Sequence, residues 1–545
     1  MARRPVTLLL CSIVLGALQA LAFAPFNLWY LMFVSALPLL WAFESLPRHR
    51  GGWCAYWYGV GYWLATTHWI YNSFTHFATA SLWMSAVLVV FFALAMALFW
   101  LLLFELWHRF TRPLGFYAYL PTPAWLKCLL FPACWLVIEW LRSTIFQGFP
   151  WLLAGYSLMD TGIIPLAAWL PVGGVWGLSF LWMLAIACLF YILRALFDSG
   201  STLKRSLATH CMLLLLPAVL IGASWFLPHD FTRPNGDSLS IGLVQPSIPL
   251  KEKWSAALTT RNLLMLQQLS EPLRDEVDVV LWPESAVAGA WQNHKRLLEA
   301  ISQSVAPARL VSGSLRYGNL EGEREVYNSI GDFSANPGDG DTTVNSTPSG
   351  AFEEGAANEI SPRFYDKRQL VPFGEFMPLY DHLSWMLRRL GFPVSNLAAA
   401  KDQTGVFSMD GMQFAASICY EVIFPRLLTP HAWRSDAILN ISDDGWFGAS
   451  LGPQQHFQMA RARAMENGRQ LVRVGNDGLT ALIDHRGRVV ESLPRFARDT
   501  LQVRVEGREG RTPFSHIGDW VVLPLVVVPM LFYLLLALMW RKRIE

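Results

Sequence analysis

Charged side chains are scarce in this chain of 545 residues. Only 15% of the residues are Asp, Glu, Lys or Arg, whereas an ordinary soluble domain has about 25%. The hydrophobic fraction is 53%, which indicates an integral membrane protein and argues against an ordinary soluble one. The net charge is only +2, so the sequence offers no electrostatic basis for binding nucleic acid.

Cysteine is also scarce, and its distribution is uneven. Six of the seven cysteines fall in the first 211 residues, within long apolar segments, and Cys419 alone follows Cys211. A single cysteine has no partner in its own part of the chain, so a disulfide framework is excluded there. His456 and His485 lack partners at metal-ligand spacing, so we expect no metal site and no cofactor.

Long apolar runs are abundant, and each is close to the length of about 20 residues that crosses a bilayer. They lie at 6–23, 27–43, 53–72, 82–106, 124–141, 172–196, 208–227 and 518–540. Lys and Arg gather in alternate loops, as they do on the cytoplasmic side of membrane proteins. The pattern predicts a polytopic α-helical membrane protein with about eight spans and both termini in the cytoplasm. The basic start and the first run also fit a cleavable signal peptide.

These spans predict three parts of the chain. Residues 1–228 form a transmembrane domain of about seven helices, 229–516 form an exported domain, and 517–545 form a last span with a basic cytoplasmic tail. In a Gram-negative-type cell, the exported domain lies in the periplasm and the protein in the inner membrane. Residues 331–361 are rich in Gly, Ser, Thr, Asn and acidic groups, which predicts a flexible insertion.

The exported part alternates short β-type runs with helical stretches. This alternation predicts an α/β domain in which helices cover a sheet. The predicted strands are 238–245, 277–283, 308–315, 327–333, 414–418, 436–442, 470–475, 480–484 and 501–507. The predicted helices are 254–273, 291–305 and 452–469.

Three chemically distinct side chains each follow an apolar strand-like run: Glu284 in WPES, Lys367 in YDKRQ and Cys419 in SICYE. A thiol needs a base to become a nucleophile, and the oxyanion that follows needs a cation or N–H donors. Taken singly, Cys419 is a nucleophile or an inert core thiol. Glu284 is a base or a capping carboxylate, and Lys367 is a catalytic cation or a solvated lysine. Glu375, eight residues after Lys367, holds the lysine or forms a structural ion pair.

Together these motifs resemble the nitrilase, or carbon–nitrogen hydrolase, superfamily with its Glu-Lys-Cys triad. Combined with the membrane spans and the run LVPFGEFMP, they resemble one membrane-bound family of it, the apolipoprotein N-acyltransferases. The resemblance covers nearly the whole chain and implies an αββα sandwich for the exported domain. It also implies that Glu284 is the general base, Lys367 the transition-state lysine and Cys419 the nucleophile.

The resemblance extends to supporting positions. Glu375, Tyr420 and Glu421 match further functionally important positions of the family pattern. Trp254 matches a tryptophan near the entrance of the active site. Asp443 is a departure, because the family more often has Asn there.

The activity implied by the resemblance is acyl transfer between lipids and proteins. An acyl chain of a phospholipid passes through a Cys thioester to the α-amine of the N-terminal diacylglyceryl-cysteine of an apolipoprotein. Nothing in the sequence requires more than a monomer. One alternative is a membrane-anchored amidase that hydrolyses a small amide. The other is a transporter or scaffold without catalysis, against which the few ionisable residues in the spans argue, Glu139 being the exception.

Overall fold

The computed structural model describes residues 3–76, 81–111, 122–162, 164–197, 215–228, 230–320, 323–334, 362–377, 385, 396–401 and 403–544. The chain forms two compact units. The first comprises Met1–Tyr71, Leu82–His229 and Ile517–Glu545. The second comprises Asn72–Ser81 and Asp230–His516.

The first unit is helical. Its helices are Arg3–Leu18, Leu31–Ser45, Arg48–Thr66, Leu82–Met96, Leu98–Thr111, Ala124–Thr144, Leu170–Phe197 and Val522–Ile544, with a further helical stretch at 215–223. Within the part of the chain that the structure describes, four helical segments are long and apolar enough to cross a membrane: Leu82–Thr111, Ala124–Gln147, Leu166–Phe197 and Pro513–Met539. They coincide with the spans predicted at 82–106, 124–141, 172–196 and 518–540. The apolar helices Val6–Ala22 and Leu31–Ser45 are shorter, and part of the run predicted at 208–227 lies outside the described residues.

Buried carboxylates of the first unit are paired inside it. Glu44, whose side chain is 6% exposed, accepts hydrogen bonds from Lys127 at 2.8 Å and from Arg194 at 2.9 Å. Glu139 accepts a hydrogen bond from the backbone N–H of Ala154 at 2.7 Å. A buried charge is tolerated when it is paired and hydrogen-bonded, so these carboxylates serve to join helices and loops.

The second unit contains two sheets. The strands of the first sheet are Thr232–Gln245 (β1), Val279–Leu281 (β2), Val287–Ala290 (β3), Arg309–Leu320 (β4), Glu323–Asp332 (β5), Arg363–Asp366 (β6) and Asp499–Gly510 (β13). Their order is β13-β1-β2-β4-β5-β6, with β3 paired to β4. The pairs β1–β2 and β2–β4 are parallel, whereas β4–β5 and β5–β6 are antiparallel.

The strands of the second sheet are Val406–Met409 (β7), Met412–Ile418 (β8), Ala437–Ser442 (β9), Leu471–Gly475 (β10), Ala481–Ile483 (β11) and Val489–Ser492 (β12). They follow the order β12-β11-β10-β9-β8-β7. The inner strands β8, β9 and β10 pair in parallel. Each is buried along nearly its whole length, as expected for strands covered on both faces.

The two sheets face each other across one core. Leu243 of β1 and Val311 of β4 belong to the same buried cluster as Ile418 of β8 and Leu439 of β9. Helices Thr259–Ser270 and Lys295–Val305 contribute side chains to a second buried cluster on the outer face of the first sheet. Helices Pro425–Ala432 and Gly452–Asn467 contact the second sheet. The result is an αββα sandwich.

All nine predicted strands and the three predicted helices of this unit are confirmed in position, with boundaries that differ by a few residues. Four short strands, β3, β6, β7 and β12, were not predicted. The insertion predicted at 331–361 is wrong in its first residues, because Gly331 and Asp332 end β5 and Phe333 is buried against Trp291 and Phe364. Residues 335–361 lie outside the described residues.

Candidate active site

The three candidate catalytic side chains lie just beyond the ends of three strands. Glu284 follows β2 after Trp282 and Pro283, Lys367 directly follows β6, and Cys419 directly follows β8. All three side chains are buried. The strands come from both sheets, so the sandwich brings together residues that are up to 135 positions apart in the sequence.

Glu284 is 5% exposed and accepts hydrogen bonds at both carboxylate oxygens. Its Oε1 accepts from Asn328 Nδ2 at 2.8 Å and from Lys367 Nζ at 3.3 Å. Its Oε2 accepts from the backbone N–H of Asp443 at 2.8 Å. Burial raises the pKa of Glu284; Lys367 lowers that pKa, while Glu375 and Asp443 raise it further. A raised pKa makes this carboxylate a better proton acceptor.

Lys367 lies between two carboxylates. Its Nζ donates to Glu284 and, at 2.8 Å, to Oε1 of Glu375. Burial alone would lower the pKa of Lys367, but the charges of Glu375, Glu284 and Cys419 raise it above its usual value. The lysine therefore stays a cation, and the sequence-based pairing of Glu375 with Lys367 is present in the structure.

Asn328 contacts the candidate catalytic residues but was not predicted from the sequence. Its side-chain amide donates to both Glu284 and Glu375, at 2.8 and 2.9 Å. Its backbone carbonyl accepts from the N–H of Lys367 at 2.8 Å. The signal available in the sequence was an Asn inside the predicted strand 327–333, where a polar side chain facing the core needs partners.

Cys419 is held in a strained backbone conformation. Its φ is +49°, a region that non-glycine residues rarely adopt, and a short 3-10 turn, Cys419–Ile423, begins there. Burial raises the pKa of the Cys419 thiol, the charge of Glu284 raises it further, and Lys367 lowers it. The thiol is therefore protonated at neutral pH and needs a base. Strain of this kind concentrates at functional sites.

Glu421 joins the turn that follows Cys419 to the loop that carries Lys367. Its Oε1 accepts from the backbone N–H groups of Arg368 at 2.7 Å and Gln369 at 3.1 Å. Its Oε2 accepts from Tyr365 Oη and from the N–H of Ile418, both at 2.8 Å. The side chain is fully buried. Glu421 thus fixes two of the three catalytic candidates relative to each other.

Tyr420 and Trp254 differ in their surroundings. Tyr420 is buried, and its ring packs edge-to-face on Phe424 with centroids 5.1 Å apart. Trp254 ends the short helix Leu250–Lys253, and 41% of its surface is exposed. Trp254 is thus the most open of the predicted site residues, whereas its neighbour Lys253 is buried and reaches the backbone of Glu284.

A second buried polar network lies behind Cys419. His456 Nε2 lies 3.1 Å from the backbone carbonyl oxygen of Cys419. That oxygen can only accept, so Nε2 carries the proton. Nδ1 lies 3.0 Å from Arg473, which also donates to Asp444 at 3.0 Å. Burial and the charge of Arg473 lower the pKa of His456, Asp444 at 3.1 Å from Nδ1 opposes that shift, and the ring holds the backbone of Cys419.

No cluster of three or more His, Cys, Asp or Glu side chains with the geometry of a metal site occurs within the described ranges. The chemistry that the cluster can perform is nucleophilic acyl transfer. A buried thiol faces a carboxylate of raised basicity and a buried ammonium, and these are the groups that generate a thiolate and stabilise an oxyanion.

Two family models match the chain. Residues 15–188 match the apolipoprotein N-acyltransferase N-terminal domain, and residues 240–513 match the carbon–nitrogen hydrolase family. An amidase from Nesterenkonia sp. is similar among solved structures, at 15% identity and a TM-score of 0.31 over 54% of this chain and 95% of its own.

Three relatives that match nearly the whole chain have the same name. A protein of Azotobacter vinelandii named apolipoprotein N-acyltransferase is 34% identical over 95% of this chain and 93% of its own length. Proteins of the same name from Pseudomonas aeruginosa and Vibrio vulnificus are 34% and 29% identical over 96% and 97% of this chain, and 95% and 96% of their own lengths. This chain therefore belongs to the apolipoprotein N-acyltransferase family, and its second unit is a carbon–nitrogen hydrolase domain.

Proposed function

We propose that the protein transfers an acyl chain from a phospholipid, through a thioester on Cys419, to the α-amine of the N-terminal diacylglyceryl-cysteine of apolipoproteins. The observation that supports this most is the buried contact set of Glu284, Lys367 and Glu375 facing Cys419. It occurs in a chain that has apolar helices long enough to cross a membrane.

In the first half-reaction, Glu284 accepts the proton of the Cys419 thiol. The thiolate forms a bond to the ester carbonyl carbon of the phospholipid, and the carbonyl oxygen becomes an oxyanion. Lys367 and the backbone N–H of Tyr420 stabilise that oxyanion. The ester C–O bond then breaks, and the lysophospholipid oxygen leaves with the proton held by Glu284.

In the second half-reaction, the free α-amine of the lipoprotein attacks the thioester carbonyl carbon. Glu284 accepts a proton from the amine and returns one to the departing sulfur of Cys419. The C–S bond breaks, and the amide is released. Because an acyl-enzyme separates the two half-reactions, the kinetics are ping-pong.

In this proposal the chain crosses the membrane about eight times. Residues 1–228 and 517–545 form the membrane part, with both termini in the cytoplasm. Residues 229–516 lie on the periplasmic side of the bacterial inner membrane, and the protein acts as a monomer. Both substrates carry long acyl chains, so a site at the membrane surface gives access to both while limiting hydrolysis of the thioester.

The test is the intact mass of the full-length protein in detergent after exposure to phospholipid, with Cys419→Ser beside it. We expect one acyl adduct on the wild type and none on the variant. Adding a peptide with an N-terminal diacylglyceryl-cysteine should remove the adduct and yield an N-acylated peptide. Release of free fatty acid without peptide acylation would instead support the amidase-type alternative, in which water is the acceptor.

A further inference from the structure

A second lysine, Lys253, is buried beside the candidate base. Only 2% of its surface is exposed. Its Nζ donates to the backbone carbonyl oxygen of Glu284 at 2.7 Å and forms a short ion pair with Oδ2 of Asp443. A buried ammonium is stabilised by a carboxylate partner, so the contact with Asp443 lowers the free energy of the Lys253 cation in this place.

Asp443 completes a closed set of contacts around Glu284. Its backbone N–H donates to Oε2 of Glu284 at 2.8 Å. Its Oδ1 accepts from the N–H of Gly445 at 3.1 Å and from Asn476 Nδ2 at 3.3 Å. Lys253 therefore binds the backbone of Glu284, and Asp443 binds its carboxylate. The ion pair connects Lys253 with Asp443.

Charges of both signs face Glu284 from several elements. The loop after β6 brings Lys367, and the segment that follows brings Glu375. The helix Leu250–Lys253 brings Lys253, and the end of β9 brings Asp443. The Cys419 thiol interacts electrostatically with Glu284. Asp477 interacts electrostatically with Asp443, Asp444 and Lys253. Each cation near Glu284 is thus paired with a carboxylate other than Glu284.

We propose that Lys253 and Asp443 form a charge-compensating positioning pair that holds Glu284 and sets the pH range in which it works as the base. The proposal rests on the proposed role of Glu284. Both residues act through Glu284, Lys253 through its backbone carbonyl oxygen and Asp443 through its carboxylate. Because the pair is neutral as a whole, it supplies contacts to Glu284 without adding net charge beside it.

The pair predicts opposite effects for its two members. Asp443→Asn leaves the Lys253 cation uncompensated, which favours the ionised form of Glu284. The acid limb of the pH profile of Cys419 reactivity therefore moves to lower pH. Lys253→Met leaves the Asp443 anion, which moves that limb to higher pH. For charges several ångströms apart in a protein interior, the expected displacement is about one pH unit. The double variant carries neither charge, so its limb returns towards the wild-type position.

The experiment measures alkylation of Cys419 by iodoacetamide in the full-length protein as a function of pH. In this reaction the S–C bond forms, the C–I bond breaks, iodide leaves, and Glu284 takes the thiol proton. The Cys419 peptide is quantified by mass spectrometry, so the other cysteines do not contribute. Asp332→Asn is the matched control, because Arg309 and Asp332 form an ion pair beside the start of β2, at the end away from Glu284.

We expect the acid limb of Cys419 alkylation to lie at lower pH in Asp443→Asn than in the wild type. In the double variant it should lie close to the wild-type pH, and in Asp332→Asn it should not move. An unchanged limb in Asp443→Asn, or a double variant that does not return, would overturn the proposal. These two variants decide the matter even if Lys253→Met does not fold. Exposure of the same samples to phospholipid separates the two proposals: limbs that shift as expected in a protein that never forms the thioester would contradict the proposed function and support the pair.

Discussion

Gly313 leaves no space for a side chain beside Glu284. A Cβ atom on Gly313 would lie 2.5 Å from the carbonyl oxygen of Pro283 and 2.6 Å from Cα of Glu284. Gly313 lies in β4, which pairs in parallel with β2. The backbone after β2 therefore rests directly on β4, and this contact fixes the position from which Glu284 enters the site.

Gly313→Ala should consequently impair the site without altering any catalytic candidate. The methyl group must push the backbone of Glu284 away, and displacements of this kind cost about 10- to 100-fold in rate. The measurement is the single-turnover rate of thioester formation on Cys419. Gly177→Ala is the control, since its Cβ would meet no atom within 4 Å. A folded Gly313→Ala protein with the wild-type rate would contradict the argument.

Glu421 leads to a second prediction, because its carboxylate receives four hydrogen bonds, from Tyr365 Oη and the N–H groups of Ile418, Arg368 and Gln369. Glu421→Gln replaces one acceptor oxygen with a donor that faces other donors. Each buried donor left unpaired costs about 1–3 kcal/mol, so the melting temperature in detergent should fall and Cys419 should lose reactivity.

Tyr365→Phe is the graded comparison for this prediction. It removes one donor and leaves the Glu421 carboxylate with three, so its cost should be about 1 kcal/mol. If Glu421→Gln melted no earlier than Tyr365→Phe, the carboxylate would not be the link between the Cys419 turn and the Lys367 loop.

The longer strands and the three catalytic candidates could be predicted because each depends on a short stretch of sequence. An apolar β-type run is visible by itself, and Glu284, Lys367 and Cys419 each follow one. The short strands were missed for the same reason: β3 and β6 have four residues each, too few for a periodic pattern.

The roles of Lys253 and His456 could not be predicted, because they come from the tertiary fold. Lys253 lies in the charged run KEK, which resembles a solvated surface, yet it is buried 190 residues away in sequence from its partner Asp443. His456 was considered only as a metal ligand, whereas the fold aims it at the backbone of Cys419. Such pairings depend on which sheet edges meet, and single-sequence periodicity does not contain that information.

Asp477 gives a prediction about stability and pH. Burial, followed by the charges of Asp443 and Asp444, raises its pKa to about 7 from a usual 3.8. Its Oδ1 has no hydrogen-bond partner among the described residues. The folded state thus binds the Asp477 proton more tightly than the unfolded state does. The contribution of Asp477 to the free energy of unfolding is fully present below about pH 4 and is lost as the pH rises towards 7. The difference corresponds to at most about 4 kcal/mol.

Asp477→Asn should remove this loss. We expect a higher melting temperature than wild type at about pH 8 and little difference at about pH 4. Asp410→Asn, at an exposed turn position of positive φ, is the control and should change neither value. A stabilisation by Asp477→Asn that is equal at both pH values would show that the effect comes from packing and not from titration.

Phe373 gives a prediction about lipid access. It lies in the loop between Pro372 and Phe376, is 57% exposed and has a φ of +64°. The ring is an exposed apolar group two residues before Glu375, which pairs with Lys367, and an apolar group at that place can contact an acyl chain on its way to the site. Phe373→Ser, alone or with Phe376→Ser, should therefore lower the acylation rate with phospholipid in bilayers and leave iodoacetamide alkylation of Cys419 unchanged.

Phe496 supplies a matched control for Phe373, because it is 52% exposed and its φ is +62°. Phe496→Ser removes an equivalent ring from a different loop, so general effects of losing exposed apolar surface should be the same in both variants. Only the Phe373 variant should slow thioester formation on bilayer substrates, by about 10-fold for the loss of one large apolar contact. Equal slowing in both variants, or unchanged rates in both, would mean that the loop at Phe373 has no specific role in reaching the lipid donor.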